Sequence, residues 1–77
     1  MLDKNITYEV FCEGDPNPIG EIKGGIYYNF YGQYEHEVRD NYLFNNDQKF
    51  GVISNSDNGL ILTRFENDTV FSIREKK

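Results

Sequence analysis

The sequence predicts a mainly β protein, and three features of its composition support this. The chain of 77 residues has no Ala and only four Leu, so the strongest helix formers are scarce. Ile, Val, Tyr and Phe supply most of the apolar side chains, as is typical of strands. Asn, Asp and Gly separate the apolar runs, as turn residues do. The length fits one domain, residues 1–77.

The first two strands are predicted near the N-terminus. Residues 6–12 alternate between two faces, the period of a strand. The segment 13–18 contains two prolines and a glycine, which predicts a loop. A short strand is predicted for residues 19–23. The glycine pair that follows, Gly24 and Gly25, predicts a bulge or a sharp bend.

Residues 26–31 form the most β-prone segment, because a β-branched residue and several aromatic residues follow one another there. Both faces of this strand carry large rings, so both are expected to make contacts. An alternative is one long strand, 19–31, bent at the glycine pair in the way that small barrels turn corners.

Residues 37–44 are predicted as a further strand, with a short helical turn near 33–40 as the alternative. Tyr34, Val38 and Tyr42 are spaced as on one side of a helix. The same residues also fall on one face of a strand, so periodicity does not separate the two interpretations.

The last third of the chain predicts three strands, at residues 49–54, 60–65 and 70–74. The Asn58-Gly59 pair between the first two is a strong hairpin signal, because both residues tolerate positive φ. Five or six short strands with polar turns predict a single small antiparallel meander sheet or an open barrel. The exposed edge of such a sheet favours a homodimer through strand pairing.

No motif for catalysis, metal binding or phosphate binding is present. His36 is the only histidine and Cys12 the only cysteine, so a zinc site or a Cys/His nucleophile lacks partners. A chain of this size is also not expected to enclose a deep cleft. We therefore expect no catalytic residue, metal ion or cofactor, and a non-enzymatic protein that acts by binding at its surface.

The expected location is the cytoplasm. The N-terminus has no apolar stretch of the kind found in signal peptides. No apolar run approaches the length of a membrane span, so no membrane contact is expected. A single cysteine suits a reducing compartment.

The aromatic segment 27–34 supplies candidate binding residues. Tyrosine is enriched at the energetic centres of interfaces, because it buries a large area with few rotatable bonds. Residues 1–48 hold nine acids and three bases, whereas residues 49–77 hold four acids and five bases. The acidity therefore lies in the same part of the chain as the tyrosines. The candidate protein-binding residues are Tyr27, Tyr31 and Tyr34 as anchors, with Glu35, Glu37 and Asp40 as charges.

The leading hypothesis is a small acidic inhibitor that blocks a basic protein partner. A nuclease or another nucleic-acid-binding protein fits best, with carboxylates in place of phosphates. Phage anti-defence proteins of the anti-CRISPR type and immunity proteins to nuclease toxins have this design, and the Asn-rich composition suits an AT-rich genome. With a net charge of −5, direct nucleic-acid binding is not expected. The alternative is a small β module that binds a carbohydrate or another small ligand.

Overall fold

Eight antiparallel strands form a closed barrel in a computed structural model that describes residues 2–77. The strands are β1 (Tyr8–Cys12), β2 (Pro18–Lys23), β3 (Ile26–Asn29), β4 (Tyr34–Arg39), β5 (Tyr42–Asn45), β6 (Gln48–Ser56), β7 (Gly59–Arg64) and β8 (Val70–Glu75). Each strand pairs with the next, and β8 pairs with β1. The prediction of a mainly β, antiparallel protein is confirmed.

The prediction of five or six strands is wrong, because two tight turns divide the longer predicted strands. Asp40 and Asn41 have φ of 51° and 67°, and Gly24 and Gly25 have φ of 61° and 81°. Two successive residues of positive φ make the type I′ turn, which joins adjacent strands through a loop of only two residues. Residues 37–44 therefore belong to two strands. The two alternatives, a helical turn near 33–40 and one bent strand 19–31, are also wrong.

The predicted open form is wrong as well, because the first and last strands pair along their length. Val10 lies opposite Ile73 in this ladder. It continues beyond β8 with a hydrogen bond of 2.8 Å from the Lys76 amide to the Thr7 carbonyl. None of the eight described strands is left with an unpaired edge. Dimerisation through a strand edge would therefore require the barrel to open.

The core fills the barrel interior with alternate residues of each strand. Val10, Leu43, Ile53 and Leu62 are the most deeply buried side chains. No polar or charged residue is fully buried in residues 2–77. Eight strands enclose an interior wide enough for side chains or for one small ligand.

The loops fall into two groups at the two ends of the barrel. One end is formed by loops 13–17, 30–33, 46–47 and 65–69, and we call it the mouth end because a cavity enters the barrel there. The opposite end holds segments 2–7, 24–25, 40–41, 57–58 and 76–77, and therefore both terminal segments of the described chain. The part of the chain that the structure describes contains no helix able to cross a membrane.

Candidate functional site

A cavity of about 570 Å³ enters the barrel from the mouth end. Its floor is formed by apolar core side chains, among them Ile19, Leu43 and Leu62. Ligand pockets usually have volumes of roughly 300–1,000 Å³ and mostly apolar walls. Closure of the barrel surrounds this cavity with strands, and its floor is the packed core, since Leu43 and Leu62 are 0% and 2% exposed.

One wall of the cavity is aromatic. Tyr27 of β3 lies directly opposite His36 of β4, and their rings stack with centroids 6.1 Å apart. The Phe50 ring meets the His36 ring edge-on at 4.7 Å. Tyr34 precedes His36 by two residues on the same strand face, and its ring lies 6.3 Å away, nearer the solvent. The aromatic wall therefore runs from the interior to the rim.

Burial favours the uncharged forms of Tyr27 and His36 in this wall. It raises the pKa of the Tyr27 hydroxyl, and the positive charge of Arg64 opposes that rise in part. Burial lowers the pKa of His36, a hydrogen bond with the Phe44 backbone opposes this, and the Arg64 charge lowers the pKa further. Tyr27 and His36 therefore offer neutral polar groups to the cavity.

Arg64, the last residue of β7, brings a cation to the cavity. Its Nε atom is buried and has no hydrogen-bond partner within residues 2–77. Its Nη2 atom lies 3.5 Å from Glu66 Oε2, which is too long for a strong ionic hydrogen bond. A buried donor without an acceptor costs about 1–3 kcal/mol. The guanidinium group therefore has hydrogen-bonding capacity that the described residues leave unused.

The mouth end is acidic, and the opposite end is neutral. The mouth loops carry five acids and no base: Glu13, Asp15, Asp47, Glu66 and Asp68. The segments of the opposite end carry three acids and three bases: Asp3, Asp40 and Asp57 with Lys4, Lys76 and Lys77. The difference of five charges between the two sets of loops is as large as the net charge of the whole chain.

The predicted anchor residues divide between the interior and the rim. Tyr27 is only 5% exposed, so the prediction that it forms part of an exposed patch is wrong. It points inward because strand neighbours alternate, and its neighbour Tyr28 points outward instead. Tyr31 and Tyr34 are 77% and 65% exposed, and both lie at the mouth of the cavity.

The predicted acidic residues do not lie together. Glu35 and Glu37 are on the outer wall of β4, where Glu37 forms an ion pair with Arg39. Asp40 lies in the turn at the opposite end, about 20 Å from Tyr34 along a strand that rises roughly 3.3 Å per residue. The six predicted residues therefore do not form one continuous surface.

A second aromatic surface lies on the outer wall. Tyr28, Phe30 and Tyr34 line an open groove there. Strand register places Tyr28 between Glu21 and Glu35. The Glu21 carboxylate is 2.6 Å from Lys76 Nζ, and this pairing raises the pKa of Lys76. Part of the acidity of the outer wall is therefore neutralised by a neighbouring base, whereas among the mouth-loop acids Glu66 alone has such a pairing in the described chain, the 3.5 Å contact to Arg64.

His36, Phe50 and Arg64 were not predicted from the sequence as members of one site. Alternation along β4 could have placed His36 and Tyr34 on the same face. The position of Phe50 and Arg64 depends on the pairing of β6 with β7 and on closure of the ring. The local sequence gives no signal for either.

No protein-family model, curated protein or solved structure matches this chain. Within residues 2–77, no group of three or more His, Cys, Asp and Glu side chains is arranged to hold a metal ion. Function is therefore inferred from the two features that coincide at the mouth end, the acidic rim and the cavity.

Proposed function

We propose that this protein binds a basic protein partner through the mouth end and blocks the surface that it covers. The observation that supports this is the set of five loop acids without a base, around a rim that carries Tyr31 and Tyr34. Acids spread over three loops present carboxylates over a broad area. A nucleic-acid-binding groove, for example that of a nuclease, is the type of basic surface that such an area complements.

The aromatic residues of the rim supply apolar contact that charge alone does not. Large exposed rings that become buried at the centre of an interface often contribute about 2 kcal/mol or more. Tyr34 is held in place because its ring packs against Gly32, where an added Cβ would overlap the ring. The acids then guide association, while Tyr31 and Tyr34 anchor the complex.

The size of the barrel fits this proposal. The molecule measures 30 × 29 × 25 Å, so one end can supply a large part of the roughly 800 Å² that each partner contributes to a standard interface. A standard interface would therefore involve the whole rim, with the four loops acting together.

The test compares two variants of equal net charge. In the first, Glu13→Gln, Asp47→Asn, Glu66→Gln and Asp68→Asn neutralise the mouth. In the second, Asp3→Asn, Asp40→Asn, Asp57→Asn and Glu75→Gln neutralise four acids at or next to the opposite end. Each changes the net charge from −5 to −1. We expect a basic partner captured by the wild type at low salt to be lost by the first variant and retained by the second.

Two further measurements sharpen this test. Affinity for the captured partner should fall steeply as salt is raised, because exposed charges are screened within about 8 Å at 0.15 M ionic strength. Tyr31→Ser should weaken binding by about tenfold or more, whereas Tyr28→Ser on the outer wall should leave it nearly unchanged. Equal loss in both charge variants, or binding that is indifferent to salt, would contradict the proposed surface.

A further inference from the structure

The barrel cavity offers a binding site that the acidic rim does not account for. Binding of a protein at the rim uses exposed loops and rings. Below them the cavity ends on the core side chains Leu43, Leu62 and Phe71, which are at most 8% exposed and form its apolar floor. A volume of about 570 Å³ is within the range of pockets that hold small organic molecules.

The cavity is apolar at depth and has one cation near its opening. Arg64 and Asp15 are the charged residues among those that line it. One Asp15 carboxylate oxygen already accepts a hydrogen bond of 2.9 Å from the Asn17 amide. Arg64, in contrast, has only the 3.5 Å contact to Glu66 and a buried Nε atom without a partner in the described chain. The cavity therefore offers a positively charged hydrogen-bond donor, the Arg64 guanidinium, whose bonding within the described chain is incomplete.

The geometry points to a small organic anion as the ligand of this cavity, an aromatic carboxylate or sulfonate whose rings occupy the apolar part while its acid group binds the Arg64 guanidinium. A planar guanidinium binds the two oxygens of such a group with two parallel hydrogen bonds. The ring system would lie along the wall formed by Tyr27, His36 and Phe50. Because Tyr27 and His36 favour their neutral forms, the charge that attracts the acid group of the ligand is that of Arg64.

The same residues argue against a carbohydrate in this cavity. A sugar carries hydroxyl groups around the whole ring, and each needs a polar partner when it is buried. The inner cavity instead presents Ile19, Leu43, Leu62 and Phe71, which offer none. A rigid apolar ring with a single acid group matches both the apolar depth and the one cation.

The acidic loops do not prevent anion binding. Charges exposed to solvent are screened within about 8 Å at physiological ionic strength, and the loop carboxylates are largely exposed. A direct charge-assisted hydrogen bond to Arg64 is screened far less, because it forms next to buried atoms. Glu66 lies within this screening distance, with its carboxylate 3.5 Å from Arg64 Nη2, and Asp15 lines the cavity itself. The acid group of the ligand therefore has to replace the long Glu66 contact with shorter, charge-assisted hydrogen bonds to the guanidinium.

The test uses a fluorescent arylsulfonate, anilinonaphthalenesulfonate, and its neutral analogue without the sulfonate, N-phenylnaphthylamine. We expect the wild type to bind the sulfonate more tightly than the neutral analogue. Arg64→Gln should weaken sulfonate binding by about tenfold or more, the usual effect of losing a hydrogen bond to a charged group. It should change binding of the neutral analogue by less than about twofold.

Arg74→Gln is the matched control, because Arg74 lies over the Phe11 ring away from the cavity and its loss removes the same charge. Circular dichroism and thermal unfolding establish that each variant is folded. Equal weakening of the sulfonate in Arg64→Gln and Arg74→Gln, or equal affinity of the wild type for the two probes, would overturn the proposal.

Labelling of Cys12 with a thiol reagent locates the bound probe in the wild-type protein, without any substitution. Cys12 is the only cysteine and lines the cavity, so a ligand inside the barrel should shield it from a thiol reagent. At a sulfonate concentration ten times the dissociation constant, the labelling rate should fall by about tenfold. Unchanged labelling would show that the probe binds elsewhere, for example in the outer groove, and would overturn the proposal. Protection by maltose and not by the sulfonate would also overturn it.

Discussion

His36 packs in the aromatic wall of the cavity, and its environment changes the pH at which it is protonated. Its ring stacks on Tyr27 and meets Phe50, and Arg64 is the charged residue that acts on its pKa. Burial and the Arg64 charge both disfavour the imidazolium form, and the Phe44 backbone opposes them only in part. The folded protein therefore holds His36 neutral at a pH where the unfolded chain begins to bind a proton.

This environment predicts a pH-dependent loss of stability. The pKa of His36 is lower in the folded state than the usual value of about 6.5 in the unfolded chain, so the unfolded state binds more protons as the pH falls. The stability associated with neutral His36 is complete above that pH and decreases below it. Since the ring is only partly buried, we expect a modest effect.

Urea unfolding at pH 8.0 and about pH 5.5 measures this effect. The wild type should lose more free energy of unfolding between the two values than His36→Gln, whose side chain does not titrate. The carboxylates are the same in both proteins, so their contribution cancels in the comparison. Parallel pH profiles for the two proteins would contradict the expectation.

The burial of Tyr27 and the exposure of Tyr28 were only partly predictable from the sequence. Tyr27 and Tyr28 are chemically identical, so only their positions in β3 decide which one is buried. Alternation predicted that the two point in opposite directions, but it did not tell which direction is inward. Inward and outward are decided by the strands that pair on either side, and the partners of Tyr27 (Ile22 and His36) lie five and nine residues away in sequence.

At the scale of the element, a glycine in β2 leaves room for an aromatic ring of the cavity wall. The ladder between β1 and β2 shifts register after Val10, which pairs with Gly20, because Phe11 pairs with Pro18. The extra residue is Ile19, and such a bulge increases local twist and helps a small barrel close. Gly20 itself lies against the ring of Tyr27, with no room for a side chain.

Gly20→Ala should therefore destabilise the barrel and disturb the cavity. The new Cβ would overlap the Tyr28 carbonyl and come within 2.6 Å of Tyr27 Cε1. Overpacking of this kind costs about 1–3 kcal/mol. Gly51→Ala is the comparison, because its Cβ would lie 3.2 Å from Leu62 Cδ1 and the Thr63 carbonyl, so smaller movements relieve the overlap.

Urea unfolding measures the free energy of unfolding of both variants, and the chemical shifts of the Tyr27 ring resonances report on the wall. We expect Gly20→Ala to lose more stability than Gly51→Ala and to shift those resonances. Equal stability of the two variants would indicate that β2 moves to accept the methyl group.

Element boundaries were predictable where a run of polar residues, a proline or a glycine marks the turn, and not at the Asp40-Asn41 pair, which has neither glycine nor proline. The loops 13–17, 46–47 and 65–69 fall close to the predicted turns. The pair Asp40-Asn41 was included in a strand, although both residue types accept positive φ. In a meander each missed turn exchanges the ends at which all later loops lie, so the clustering of acids at one end could not be predicted.

For the whole molecule, stability depends on closure. β8 pairs with β7 on one side and with β1 on the other, and it contributes Phe71 and Ile73 to the core. Closure links residues far apart in sequence, and no local pattern predicts it. A chain of this size has a small stability margin, so the last strand decides whether the barrel forms.

Deletion of residues 70–77 should therefore abolish the cooperative fold. Loss of two large core side chains costs about 2–5 kcal/mol each, before the two lost ladders are considered. Deletion of residues 76–77 alone is the control, because it removes one backbone hydrogen bond and the Lys76–Glu21 pair and leaves the core complete. Urea unfolding and size-exclusion chromatography distinguish the outcomes. A cooperative transition in the larger deletion would contradict a closed barrel.

The position of the two termini has a practical consequence. The described chain starts and finishes at the opposite end, on the far side of the barrel from the cavity and the acidic loops. A tag, dye or surface linker attached at either terminus would point the mouth outward into solution. Immobilised protein should thus display one uniform orientation, and either terminus can be used as a handle without obstructing the site.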